Sequence, residues 1–191
     1  VVSYTQALSG IMSLLDSAKN DFSNAVIDFP LSSGFSGFND AAGLTKFNRA
    51  LAARVAAYQG QWTDVLTALN ESFFGLDKPF SLGVYHVFGT GTGDQLNPVF
   101  IPQNQTGDVR VAQPSDAADI LPGDDRISKA TLRQATASLL GLSSNRDVWV
   151  YTSSTDPVPV IRNEELILLY AEANIQNNDF PEGEKALNVI R

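Results

Sequence analysis

The chain has 191 residues, 43% hydrophobic and 18% charged, with a net charge of −8 and no cysteine. This composition can build a core and excludes disulfides, thiolate metal sites and a cysteine nucleophile. The acidic balance argues against nucleic acid or an anionic membrane surface as the main partner, because phosphate binding needs clustered Lys and Arg.

Tyr4 to Lys19 is predicted as an amphipathic helix, with Leu8, Ile11, Met12, Leu15 and Ala18 at three- and four-residue steps. The stretch FPLSSGFSGFND that follows is turn-rich. Asp40 or Thr45 can cap a second helix to about Tyr58, its FNRALAARVAAY suited to close helix packing, and Gly60 breaks it. Trp62 to Ser72 is predicted as a third helix. Residues 73 to 126 hold many of the Gly and Pro residues and read as long irregular structure, with short strands at 84–88 and 109–112. Ser128 to Leu140 reads as a helix, and DVWVY at 147–151 alternates like a strand. DPVPV leads into a helix, VIRNEELILLYAEANIQ, and Pro181 begins the next. No run approaches the roughly 18 apolar residues of a membrane span. The opening VVSYTQALSG has no basic leader region. Both ends read as cut, the last within KALNVIR, so a fragment of a longer protein is expected.

The two helical pairs overlie when the sequence is shifted by 118. Leu51 meets Leu169, Ala53 meets Ala171, Trp62 meets Phe180, and Ala68, Leu69 and Asn70 meet Ala186, Leu187 and Asn188. In both copies a small Ala lies nine residues before an aromatic, then a turn (YQGQW, QNNDF) and a second helix follow. This is the pattern of a tetratricopeptide-type helical hairpin; two such pairs should stack with other helices to bury their faces. Trp62 then belongs to the core.

The order Arg162, Glu165, Leu168, Ala171, Glu172, Ala173 forms a motif. With PVPVIRNEELILLYAEA, KALNVIR, the earlier FNRALAARVAAYQGQWTDVLTALNES and GDDR at 123–126, it resembles the SusD/RagB family of glycan-binding lipoproteins of the Bacteroidetes outer membrane. The resemblance covers most of the chain and is weakest over residues 73–122. It implies a mainly α fold of tetratricopeptide-like helical hairpins with a long loop-rich insertion. The whole would be a single fragment: a helical part at 1–72, the insertion at 73–159, and a truncated second repeat at 160–191. It also implies a surface-facing outer-membrane protein whose lipid anchor lies outside this chain, which has no Cys to carry one. The partners would be an oligosaccharide or polysaccharide and a TonB-dependent transporter of the SusC type.

The charges in the apolar C-terminal helix need an explanation. Arg162 and Glu165 are neighbours on the helix, and Glu165 and Glu172 share a stripe. They are expected to pin this helix to adjoining segments, with Arg126 as a candidate donor, while a solvated face stays open for Glu164. Catalytic chemistry finds little footing. No pair of acids is singled out by spacing as a glycosidase pair, and His86, the only His, lacks a G-x-S-x-G partner. The acidic run from Asp116 to Asp125 lacks the regular ligand spacing of an EF-hand and reads as a solvated loop. GTGTGDQ is neither a P-loop nor a dinucleotide fingerprint. No metal or cofactor is expected.

Sugars stack their C–H faces on aromatic rings, and their hydroxyls seek Asn, Gln, Asp and Arg. Tyr85, His86, Phe88 and Phe100 lie in the irregular region beside Asn97, Gln103, Asn104 and Gln105, while Trp149 and Tyr151 share one face of the predicted strand. Tyr85, His86, Phe88, Asn97, Trp149 and Tyr151 are therefore the candidate ligand contacts, with the competing expectation that rings such as Trp149 cap the core. The expected function is non-catalytic glycan binding. A helical-repeat scaffold for protein partners and part of a glycoside hydrolase are the alternatives.

Overall fold

The computed structural model describes residues 2–107 and 109–191. Helix makes up 44% and strand 14% of the chain, so the fold is mixed, with six α-helices among the described residues. It divides into two compact units, a helical one of Val1–His86 with Pro159–Arg191 and a loop-rich one of Val87–Val158.

The helical unit begins with α1 (Tyr4–Phe22), closed by a capping box in which Gln6 N donates to Ser3 Oγ and Ser3 N donates to Gln6 Oε1. Helix α2 (Ala41–Tyr58) starts at Asp40, whose Oδ1 accepts from Gly43 N at 2.6 Å. A Cβ at Gly43 would lie 2.5 Å from Phe38 Cα, so glycine is required there. Helix α3 (Trp62–Asn70) follows, then β1 (Gly83–His86), which pairs with β4 (Val158–Arg162). A Cβ at Gly83 would lie 2.2 Å from Ile161 O, so the strands meet only because residue 83 has no side chain. Helices α5 (Asn163–Gln176) and α6 (Phe180–Ile190) complete the unit.

One apolar cluster joins α2, α3, β1, β4 and α5 through Ala53, Val65, Leu69, Val84, Ile161 and Leu166. Burying each such Leu or Ile contributes about 1.5–3 kcal/mol. Phe73 and Val84 belong to this core, so the segment 73–86, expected as the start of the insertion, is part of the helical unit. Trp62 packs against the cluster, partly buried.

The repeat predicted from sequence reappears in backbone geometry. The C-caps have similar angles, Gln59 φ −90°, ψ −6° and Asn177 φ −85°, ψ 8°; Gly60 has φ 69° and Asn178 φ 65°; Gln61 has φ −90°, ψ 69° and Asp179 φ −91°, ψ 71°. Gln61 N donates to Ala56 O at 2.9 Å, and Asp179 N donates to Asn174 O at 2.8 Å. Each pair is separated by the same 118 residues. Gly and Asn are the two residues that most readily adopt the left-handed conformation this turn needs.

In the loop-rich unit the expected helix at 128–140 is instead strand β2 (Ala130–Leu139), antiparallel to β3 (Leu142–Val148). The Ala, Leu, Arg and Gln content of this stretch favours a helix, but cross-strand pairing overrides propensity. Leu140 (φ 52°) and Gly141 (φ 81°) form a two-residue turn with both central residues left-handed, the geometry of a tight hairpin. The strand expected at 147–151 ends at Val148, although Trp149 N still donates to Lys129 O. Of the strand expected at 109–112, Val111 pairs antiparallel with Asp147, and Ala112 N donates to Arg146 O. A short helix, α4 (Pro114–Ala118), lies between.

Candidate functional site

The charges of the C-terminal motif fix the helix that carries it. Glu165 is pinned as expected, but not by Arg126. Arg54 of α2 grips it through Nε and Nη2 at 2.6 and 2.7 Å, and the same Nη2 donates to Val160 O. This two-pronged contact joins α2, β4 and α5, and the Glu165 carboxylate raises the Arg54 guanidinium further above its usual range. Arg162 pairs with Glu164 rather than Glu165. Arg126 forks onto Asp124 two residues away, holding that carboxyl down at about 2. Glu172 is exposed, with no hydrogen-bond or ion-pair partner among the described residues. The expectation that it pins the helix is corrected: its position on α5 faces solvent.

Two anchors escaped the sequence reading. Arg54 stands alone among Ala and Val in AARVAA, a charge that an apolar helix must pair. Asn163 is fully buried; its Oδ1 accepts from Gly75 N, and its Nδ2 donates to Gly75 O and Lys78 O. It fastens the start of α5 to the loop after α3. The only signal was a short polar residue at the helix start in IRNEE.

The candidate ligand contacts divide between the units. Tyr85 and His86 end β1 in the helical unit. Tyr85 is half-buried; its hydroxyl donates to Ser81 O, and burial pushes its phenol up. His86 is exposed.

Phe88, Asn97, Trp149 and Tyr151 belong to the loop unit. Asn97 is only 4% exposed, and its groups are spent internally. Its Nδ2 donates to Asp156 O, its Oδ1 accepts from Val99 N, and its backbone N donates to Ser154 O. It is a clamp between two loops, which corrects its assignment as a ligand contact. Asn104 and Gln103 are similarly engaged: Asn104 Oδ1 accepts from Gln134 N, and Gln103 Nε2 donates to Thr131 Oγ1.

What the unit does bring together is a ring pair. Phe100 and Trp149 lie 6.0 Å apart, tilted by 53°, and both remain partly exposed. Strand β3 ends at Val148, so Trp149 and Tyr151 lie on the segment that leaves it, and Val148 and Val150 both line a neighbouring cavity. Asp147 anchors the end of the strand from within. It is 3% exposed, pairs with the buried Arg133, and accepts from Asn104 N at 2.7 Å. Further along, Asp156 accepts from the N–H groups of Thr152 and Ser153, which lower its carboxyl pKa.

Val148 and Val150 line an open cavity of about 720 Å³ together with Val111, Ile120 and Leu121, and its charged residues are Asp116, Asp119, Arg126 and Lys129. Its lining includes no aromatic ring. The sequence does not reveal it, because its walls come from separate segments, expected as short strands at 109–112 and 147–151, a solvated loop over Asp116–Asp125 and a helix from Ser128. Among the described residues, no group of three or more His, Asp or Glu side chains is placed to hold a metal ion, including along Asp116–Asp125. Among the described residues, no helix is long and apolar enough to cross a membrane.

A scan against protein-family models finds none that matches the chain, and a search of curated proteins returns no match.

Proposed function

We propose that the chain is part of a non-catalytic glycan-capture protein of the SusD/RagB kind. In this reading its two helical hairpins are tetratricopeptide-type units, and the loop-rich unit carries the sugar platform. The protein faces outward at the bacterial outer membrane, held by a lipid anchor outside these residues. It delivers oligosaccharide to a TonB-dependent transporter of the SusC type, making and breaking no bond.

The observation that carries the reading is the Phe100–Trp149 pair, two partly exposed rings from separate segments held 6.0 Å apart, with Trp149 two residues beyond Asp147 of the buried Asp147–Arg133 pair. A pyranose offers an apolar C–H face that fits a preset ring, and pre-organisation spares the ordering cost of binding. Tyr151, two residues beyond Trp149, and Phe88 of the same unit are its candidate neighbours. Further support comes from the motif running from Arg162 to Ala173 and the turn that repeats after 118 residues.

The test is a panel of neutral polysaccharides in affinity electrophoresis, run on the chain and on Trp149→Ala and Phe100→Ala variants checked for folding by circular dichroism. Retardation by at least one glycan is expected, weakened about tenfold or more in Trp149→Ala, equivalent to ~1.4 kcal/mol. Undiminished binding in both variants would move the platform elsewhere. Polysaccharide turnover by the wild-type chain would favour the hydrolase alternative.

A further inference from the structure

The rings of the Phe100–Trp149 pair come from separate segments, and Arg110 bridges the two. Val148 N donates to Arg110 O at 3.2 Å, which sets the Arg110 backbone beside the residue before Trp149. The Arg110 side chain reaches the other segment. Its Nη1 donates to Val99 O at 2.6 Å and its Nη2 to Pro98 O at 3.0 Å, the two carbonyls just ahead of Phe100. A guanidinium is thus fixed where the ring-bearing segments meet.

That guanidinium is oriented but not neutralised. Arg49, Arg54, Arg126, Arg133 and Arg162 each pair with a carboxylate. Among the described residues Arg110 meets only carbonyls, which accept its N–H groups without cancelling its charge. Arg146 also turns to a carbonyl, Ala130 O, but is half-buried, whereas Arg110 is exposed. Asp147, two residues before Trp149, is held by Arg133. Asp116 and Asp119 line the neighbouring cavity together with Lys129, and Arg110 is not part of that lining. Two bonds already hold the Arg110 fork, so little side-chain freedom is lost when a ligand meets its remaining N–H groups.

We propose that Arg110 selects a carboxylate-bearing pyranose, as in a uronic acid, by forking onto the carboxylate while the sugar's C–H face stacks on Trp149. The proposal rests on the glycan reading and names its substrate class. A planar guanidinium matches a carboxylate through two parallel N–H···O bonds, and such charge-assisted bonds are roughly twice as strong as neutral ones. The net charge of −8 repels an anionic glycan at a distance. Screening confines that repulsion to roughly 8 Å at physiological salt. Discrimination is therefore made by contact. A neutral sugar still stacks, without the fork.

The test is calorimetric titration of the whole chain with an oligogalacturonate and with its fully methyl-esterified form, which keeps the sugar backbone and removes the charge. The acid form should bind about tenfold more tightly than the ester, or better. In Arg110→Gln the preference should shrink to about twofold or less, with the ester binding as it does to the wild type. Arg110→Lys keeps the charge and loses the fork, so its preference should fall between the two. Lys46→Gln removes an equal charge from an exposed position of the helical unit and should leave the preference as it is. Equal binding of both forms by the wild type, binding confined to neutral glycans, or a preference that survives Arg110→Gln would overturn the proposal and leave the glycan reading standing. Should Arg110→Gln fail to fold by circular dichroism, Arg110→Lys carries the test, and a full preference there would overturn the proposal. Failure of every glycan to bind, acidic or neutral, would end the glycan reading and this proposal together.

Discussion

The helical unit and the loop-rich unit solve the problem of burial in different ways. The first encloses a continuous apolar cluster, from Phe38 through Leu69 and Ile161 to Leu166, and uses charge to lock helices already in contact. The second has a largely polar interior. Its most buried side chains include Asp147, Ser144 and Asn97, held by Arg133 and by carbonyls, while Leu139, Leu140 and Leu142 at its hairpin tip are 74–94% exposed. The difference bears on function. A polar framework fixes loops and leaves rings such as Trp149 partly free, whereas an apolar core would draw them in.

The contrast predicts which substitutions should hurt, and where. The largest effect is expected from Asp147→Ala, which strands the buried Arg133 and should cost about 3–5 kcal/mol. The loss should be confined to the loop unit. Hydrogen exchange should speed up in 102–107 and 130–148 while α2 and α5 keep their protection. Global unfolding would show that the two units are one cooperative block. Leu166→Ala should cost a similar or slightly smaller ~3–4 kcal/mol through cavity formation, with the opposite pattern of exchange. Arg54→Ala or Glu165→Ala, breaking a pair whose side chains are 24% and 37% exposed, should cost about 1–3 kcal/mol, read as a lower melting temperature. An unchanged melting temperature would show that the pair locks nothing.

Smaller effects follow from the repeated turn and from pH. Gly60→Ala should cost about 1 kcal/mol by forcing Ala to φ 69°, while Asn178→Gly should be neutral or slightly stabilising. Equal penalties would mean that the two turns are not equivalent. Asp124 and Asp156 both have folded pKa values below the ordinary 3.8, Asp124 at about 2. Depressed carboxylates stabilise above their unfolded pKa, and that contribution fades as pH falls through the folded one. The loop unit should therefore loosen as pH drops from about 4 towards 2, with amides 152–156 among the first to exchange. Constant protection there down to pH 2 would contradict this.

Much of the helical unit was legible because its signals are local. Asp40 caps α2, Pro181 opens the first turn of α6, and Gly60 with Asn178 marks the two hairpins. The repeat period survived because the turn needs a left-handed residue at one position. What was missed depends on distant partners. Arg54 and Glu165 are 111 residues apart, and nothing near either one names the other. Strand β2 was read as a helix because its composition suits one; only its pairing with β3 across a turn with Leu in the left-handed region decides otherwise. At the candidate site, the aromatic residues were found but their environments were not. The sequence does not show that Asn97 is spent on Asp156 and Val99, or that Phe100 meets Trp149.

The most direct measurement uses the fact that the chain has two tryptophans, Trp62 and Trp149. A Trp62→Phe variant leaves Trp149 as the sole indole, and its emission can be followed while oligosaccharides from the glycan panel are added. Stacking a sugar on Trp149 predicts a saturable change in intensity and wavelength, lost in Phe100→Ala as the ring pair is broken. Glycan binding that leaves the Trp149 emission unchanged would contradict the account.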